Sequence, residues 1–299
     1  TRSWISGFVE RSRLAVLGPN SNGICTVDGR ITCTSAPFAA QPELTPGSVA
    51  VISQSGDLIS SLVARLRRNG LGLRLSCSIG EAIDVTIGDC LTHVADDPGT
   101  DTILVYTEGL AGRDSFLAGA RAAIAAGKHV VVLKAGATSV GAETVRHHTG
   151  GLVGSFAAFR ALCEAEGILL ASSVDQATIL PAILRSHSGA APGVGVVAGS
   201  GGIAALLADK LTAAGLPVPT VAPETAARIR DAVGSAACRN PVDLGVHDSS
   251  RNRAAVHALA ADPGVGNLVY GGQAGPDEIL GPVKAALAEV AAAGTAVSV

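Results

Sequence analysis

Residues 49–71 read VAVISQSGDLISSLVARLRRNGL, and residues 194–216 read VGVVAGSGGIAALLADKLTAAGL. The second stretch follows the first at a constant offset of 145 positions, without a gap. Val49/Val194, Val51/Val196, Ser55/Ser200, Gly56/Gly201, Leu62/Leu207, Leu66/Leu211, Gly70/Gly215 and Leu71/Leu216 are identical pairs. Each copy opens with an apolar, β-branched run, turns at Ser-Gly, and continues as an amphipathic stretch closed by Gly. An unbroken apolar run suits a parallel strand buried on both faces, and a glycine at the far end suits a helix C-cap. Each copy is therefore a βα unit.

The repeat extends outward. DPGTDTILVY (97–106) matches DPGVGNLVYGG (262–272) as a loop entering another buried strand. KHVVVLKAG (128–136) reads as a strand and GSFAAFRALCEAEGI (154–168) as a helix followed by a turn. SSVDQATILPAILRS (172–186) reads as a helix start with a Ser or Asp cap. Strands alternating with helices predict an α/β protein with parallel sheets. We read two flavodoxin-like, doubly wound domains, 46–187 and 192–299, joined by the linker SHSGAAPG (186–193). Residues 1–45 read as the tail of an earlier domain.

Composition narrows the function classes. The 299 residues are 47% hydrophobic and 16% charged, enough for buried cores in two domains. A net charge of −3 gives no basic surface for nucleic acid or an anionic membrane. The six Cys, at 25, 33, 77, 90, 163 and 238, form no Cys-x-x-Cys pair and stand at no zinc-finger spacing. They read as buried free thiols of a reducing compartment, and no metal site is expected. No apolar run approaches the ~18 residues of a membrane helix, and no signal peptide is visible, so a cytoplasmic location is expected. The chain contains no Met and does not begin with one. It reads as a fragment, with residues left out near position 10.

In open α/β sheets, ligands bind at the carboxyl ends of the strands. A strand that turns sharply into a helix there presents free backbone N–H groups and the positive end of the helix dipole to an anion. Ser53, Ser55 and Gly56 form that turn in the first copy; Ser200, Gly201 and Gly202 form it in the second. The plain alternative is turn chemistry, because Ser caps helices and Gly relieves crowding. No Gly-x-x-x-x-Gly-Lys-[Ser/Thr] loop exists, and GVGVVAGSGG lacks dinucleotide-fingerprint spacing, so a nucleotide must sit elsewhere.

ETVRHHTGGLVGS (143–155) places two histidines before a glycine pair. A neutral imidazole is a good nucleophile toward phosphorus near pH 7. The dianion it would carry suits backbone N–H groups and opposed helix ends. Glu108, just past a strand end in YTEG, is the candidate carboxylate to hold the other ring nitrogen.

Taken together these motifs resemble the NDP-forming acyl-CoA synthetases, relatives of the succinyl-CoA synthetase α subunit. LGPNSNGI (17–24) is similar to the Gly-Pro-Asn motif closing that family's CoA-binding domain, and VISQSG (51–56) to its phosphate-facing turn. YTEG (106–109) resembles the turn whose Glu orients the active histidine, and RHHTGGLVGS the phosphohistidine loop. VAGSGG (197–202) and RNPVDLG (239–245) resemble the following domain. The resemblance implies phosphorylation at His148, with Glu108 orienting it, and residues 1–45 as the remnant of a Rossmann-like CoA-binding domain contributing Pro19, Asn20 and Ser21. It implies that acyl-CoA, phosphate and ADP interconvert with acid, CoA and ATP through an acyl phosphate. ATP/ADP with Mg2+ would bind an ATP-grasp domain absent from this chain, which then needs a partner subunit or the rest of a longer polypeptide, and an oligomer is expected. Two departures stand out: GEAID (80–84) replaces the usual Gly-Asn-Glu-Ala-Asp, and His147 replaces a small residue. The alternative is a non-catalytic acyl-CoA-sensing module of a protein acetyltransferase; in such modules the phosphohistidine is commonly lost, and this chain has both His148 and Glu108.

Overall fold

The computed structural model describes every residue except 1, 41–43, 111, 150–153, 187–192, 235–238, 245–248, 273–276, 294–295 and 299. The chain forms two compact units, Thr1–Leu184 and Arg185–Val299.

In the first unit the elements run α1 (Arg2–Ser12), β1 (Gly23–Thr26), β2 (Ile31–Thr34), β3 (Pro46–Ser53), α2 (Gly56–Arg68) and β4 (Leu73–Ser78). They continue through α3 (Ile87–Ala95), β5 (Thr102–Thr107), α4 (Arg113–Ala125), β6 (His129–Lys134), α5 (Ser139–Thr149), α6 (Phe156–Ala165), β7 (Leu169–Ala171) and α7 (Val174–Ser186). The sheet order is β2-β1-β4-β3-β5-β6-β7. Strands β4-β3-β5-β6-β7 are parallel and follow the flavodoxin-like order, with the switch point between β3 and β5.

Alternation along β3 explains why both faces are covered. Val49 and Val51 pack with Ile59, Leu62 and Leu66 of α2 on one face. Ala50 and Ile52 pack with Leu91, Phe116 and Phe159 from α3, α4 and α6 on the other. Ile59, Leu62, Val63 and Leu66 of α2 are all buried. Each such side chain contributes about 1.5–3 kcal/mol when fully removed from water. Ser55 caps α2 by accepting the Leu58 N–H at 3.3 Å.

The segment before residue 46 adds to this sheet. Strands β1 and β2 form an antiparallel hairpin, and β1 pairs antiparallel with β4, placing Ile24 opposite Cys77. Helix α1 runs unbroken through position 10. Of the thiols, Cys25, Cys77 and Cys163 are buried, Cys90 is half-buried and Cys33 is exposed, while Cys238 lies outside the described residues.

The second unit runs β8 (Gly193–Ala198), α8 (Gly201–Ala213), α9 (Pro223–Val233), β9 (Val242–Asp243), α10 (Ser249–Ala260), β10 (Val265–Gly271), α11 (Asp277–Ala292) and β11 (Ala296–Ser298). Its parallel sheet, β11-β10-β8-β9, repeats the order of the first. The repeat holds at the level of caps: Ser200 accepts the Ile203 N–H at 3.4 Å, as Ser55 does for Leu58. Gly70 and Gly215 end their helices with φ of +71° and +76°. Asn240, in RNPVDLG, completes the strand edge by accepting the Val196 N–H and donating to Val194 O, both at 2.8 Å. Among the described residues no helix is long and apolar enough to cross a membrane.

Candidate active site

Three of the sequence-derived residue groups meet at the carboxyl ends of β3, β4 and β5. The first is the loop 16–22. Pro19 O accepts the Glu81 N–H at 2.9 Å, Gly18 O accepts the Ile83 N–H at 3.3 Å, and Asp84 accepts the Val16 N–H at 2.7 Å. The segment GEAID (80–84) is thus the backing strip for the Gly-Pro-Asn loop. Gly80 has φ +56°, and a Cβ there would collide with the carbonyl oxygens of Pro19 and Asn20. Ser21 spends its hydroxyl on Ser78 O and on the Gly23 N–H. Asn20 is exposed at φ +57°, at the crest of the loop.

The second group is the turn from β3 into α2. Ser53 is fully buried, and its hydroxyl donates to Ser55 O at 2.7 Å while accepting the Ser55 N–H at 3.1 Å. Both serine hydroxyls therefore shape the turn. The free donors at this helix start are backbone N–H groups. Asn22 lies over the same point: its Nδ2 is 2.6 Å from where a Cβ on Gly56 would be. Residues 19–22 and 53–56 are consequently one surface.

The third is the turn after β5. Glu108 is buried, and Tyr106 donates its hydroxyl to Glu108 Oε1 at 3.3 Å. Burial, assisted by the Glu108 charge, pushes the Tyr106 hydroxyl up to about 12. Lys134, at the end of β6 and also buried, donates Nζ to Glu108 O at 3.2 Å and Ala135 O at 2.9 Å. Burial pushes the Lys134 ammonium below its usual range, and the Glu108 charge opposes that shift.

Gln54 joins the second group to the third. Its Oε1 accepts from Thr107 Oγ1 at 2.9 Å, Glu108 N at 2.5 Å and Gly109 N at 3.2 Å, and its Nε2 donates to Gly109 O at 3.0 Å. One amide thus occupies the topological switch point and fixes the Thr-Glu-Gly turn. In the second unit the equivalent position is Gly199. Sequence reading singled out neither Gln54 nor Lys134. A polar side chain between the two serines of a ligand-facing turn was the available signal for Gln54, and a Lys ending an otherwise apolar strand was the signal for Lys134.

The remaining sequence-derived residues belong to other elements or fall outside the described residues. His147 and His148 belong to the last turn of α5 rather than to a loop. His147 is exposed, with Nε2 3.9 Å from Glu143 Oε1. The His148 side chain and Gly150–Gly151 lie outside the described residues. Ser200, Gly201 and Gly202 open α8 in the second unit, where Asp243 Oδ2 is 2.8 Å from where a Cβ on Gly201 would be.

The family described as "Succinyl-CoA ligase like flavodoxin domain" matches residues 46–184. The chain is 31% identical over 258 residues to acetate–CoA ligase [ADP-forming] I of Archaeoglobus fulgidus, a match spanning 86% of this chain and 37% of that protein. It is 28% identical to the α subunit of acetate–CoA ligase [ADP-forming] II of Pyrococcus furiosus, over 77% of this chain and 50% of that one. The matches thus span at most half the length of these two relatives. Among solved structures, the dinucleotide-forming acetyl-coenzyme A synthetase 1 of Ca. Korarchaeum cryptofilum, in complex with phosphate and ADP, superposes with a TM-score of 0.87 at 27% identity, covering 99% of this chain and 64% of that one. Residues 46–184 thus carry the succinyl-CoA ligase like flavodoxin domain, and the chain is similar over most of its length to NDP-forming acyl-CoA synthetases.

Proposed function

We propose that this chain is the CoA-ligase part of an ADP-forming acyl-CoA synthetase. The observation that carries the reading is the single surface formed by the Gly-Pro-Asn loop, the α2 start and the Gln54-held Glu108 turn. Residues 1–45 act as the remainder of the CoA-binding domain, with Pro19, Asn20 and Ser21 shaping the loop that meets CoA. Phosphate attacks the acyl carbonyl of acyl-CoA, the C–S bond breaks, and CoA leaves as the thiol, giving an acyl phosphate. The His148 imidazole then attacks phosphorus, releasing the carboxylate and leaving a phosphohistidine. ADP takes the phosphoryl group on an ATP-grasp domain, where Mg2+ accompanies the nucleotide, and imidazole is restored.

In this scheme the N–H groups at the start of α2, around Ser55 and Gly56, receive phosphoryl oxygens, with the helix dipole adding positive potential; the start of α8, around Ser200–Gly202, is by its own cap and dipole a second anion-binding helix end. Ser53 keeps the first turn in shape. Glu108 accepts the far ring N–H of His148 and stabilises its charged form, as a carboxylate does for a nucleophilic imidazole. The ATP-grasp part comes from a partner subunit or a further segment of the polypeptide, and the reaction is one of the cytoplasm.

The test is phosphorylation by γ-labelled ATP in the complete protein with its ATP-grasp part. An acid-labile, base-stable label on wild type that disappears in His148→Ala is expected. Label that persists in His148→Ala, or none in wild type, overturns the reading and favours a non-catalytic acyl-CoA sensor.

A further inference from the structure

A cleft of about 400 Å³ lies beside the Glu108 turn, lined by Gly109, Leu110, Arg113, Lys134, Ser155 and Phe159 among others. It opens at the carboxyl end of the sheet, where ligands of this fold bind. Its lining is divided by chemistry. Two cations, Lys134 and Arg113, stand with the Ser155-capped start of α6. The rest is apolar: Leu110, Ala158, Phe159 and Leu162.

Both cations are placed against ordinary preference. Lys134 is only 8% exposed, in a residue type almost never buried without a partner. Two of its three protons go to the carbonyls of Glu108 and Ala135, and Nζ stands 5.6 Å from the centre of the Phe159 ring. Arg113 is the first residue of α4, where the helix dipole disfavours a cation. Its N-cap, Gly112, sits at φ +77° and offers no side-chain cap to the helix start. Asp114 offsets part of that charge, yet among the described residues no ion pair engages Arg113. A neighbouring anion relieves both placements. The cleft volume falls within the range of small-molecule pockets and far exceeds a two-carbon acid.

We infer that this cleft binds the carboxylic acid substrate, holding the carboxylate between Lys134 and Arg113 and an apolar body, larger than that of acetate, against Leu110, Phe159 and Leu162. The inference rests on the ligase reading for calling the acid a substrate. Its location agrees with that role: Gly109 follows Glu108 directly, and Gly154 and Ser155 close the segment that begins at His148.

The test is a 19F NMR titration of 4-fluorophenylacetate into the complete protein, run beside the γ-labelled ATP experiment on wild type. Saturable binding to wild type is expected. Arg113→Gln should weaken it about tenfold, by loss of a charge-assisted contact. Ala158→Trp, a change at an exposed position that fills the apolar wall, should weaken the aryl acid by more than tenfold and acetate by less. A free phosphate uses the cations but not the wall, so a site for phosphate alone would respond to Arg113→Gln and ignore Ala158→Trp, overturning the proposal. Titrations unchanged in both variants also overturn it. Binding with no phosphohistidine keeps the cleft and removes the ligase reading; phosphohistidine with no cleft-dependent binding does the reverse.

Discussion

Gln54 Oε1 accepts the backbone N–H of Glu108 at 2.5 Å, across the crevice between β3 and β5. Three further hydrogen bonds, to Thr107 Oγ1, Gly109 N and Gly109 O, lock the same amide in place. Gln54 is thus a positioning residue: it sets Glu108 relative to the start of α2. Gln54→Ala leaves buried turn donors unsatisfied, a cost of about 1–3 kcal/mol, so the phosphorylation proposed for His148 should slow by about 10–100-fold. Gln54→Glu is the sharper variant. It keeps an acceptor, loses the donor to Gly109 O, and sets a second carboxylate beside Glu108. A like charge raises a carboxyl pKa, so the pH–rate profile of phosphorylation should move to higher pH. A slower rate with an unmoved profile would mean that the amide merely stabilises the fold.

Lys134 lends itself to a pH test of its burial. Its pKa is lowered in the folded protein, first by desolvation. Below its folded pKa the buried cation is a cost. Between that value and the ordinary 10.5 the unfolded chain holds the extra proton, so stability rises with pH across that window. Lys134→Met removes the titration. The stability of wild type relative to Lys134→Met, measured by urea unfolding, should therefore improve as pH approaches 10.5. A difference independent of pH would remove the claim that burial dominates at this ammonium.

Asp97 makes the opposite case. It accepts from Arg74 Nε at 2.8 Å and Nη2 at 2.7 Å, from Thr100 Oγ1 at 2.7 Å and from the Gly99 N–H at 3.2 Å. The Arg74 hydrogen bonds lead in holding its carboxyl well below the usual range. The stabilisation is therefore present above the unfolded pKa near 3.8 and is lost as pH falls through the lower folded value. Asp97→Asn should cost about 1–3 kcal/mol at pH 7, with the gap to wild type closing below pH 4. The matching loop of the second unit keeps the local part, with Asp262 accepting the Gly264 N–H at 2.9 Å, and takes the Ala222 N–H at 2.8 Å where Asp97 takes an arginine. A gap that persists undiminished at pH 2 would show the loss to be steric.

The fold was legible where the chain repeats itself. A Ser-Gly turn between an apolar run and a glycine-closed helix fixes strand, cap and helix locally, and both copies have it. The β1–β2 hairpin was not, because two four-residue strands, one of them mostly exposed, carry little signal, and the register is set by β4, some 50 residues away. The candidate site divides in the same way. Glu108 and the serine turns announce themselves by their place after apolar runs. The Gln54 clamp closes across 53–55 positions of chain, and nothing in the residues around Gln54 encodes its partners. Lys134 looked like an ordinary strand end, since composition makes a lysine an exposed residue by default. The doublet at 147–148 read as a loop because glycines follow it, whereas the helix that precedes it extends through Thr149.

Gly80 tests whether the Gly-Pro-Asn loop is held for CoA. Its φ of +56° alone would cost an alanine about 1–2 kcal/mol, and a Cβ would also strike the carbonyl oxygens of Pro19 and Asn20. Those oxygens belong to backbone, so the loop itself must move. Gly70, at φ +71°, has nothing within 4 Å of a Cβ, and Gly70→Ala therefore carries the same backbone strain without the collision. Both variants should lower the melting temperature by a few degrees. Only Gly80→Ala should raise the KM for CoA, by at least about tenfold, because only there does the surface formed by residues 19–22 and the start of α2 come apart. Equal CoA affinity in the two variants would detach Pro19, Asn20 and Ser21 from thioester chemistry and leave the loop a structural edge of the sheet.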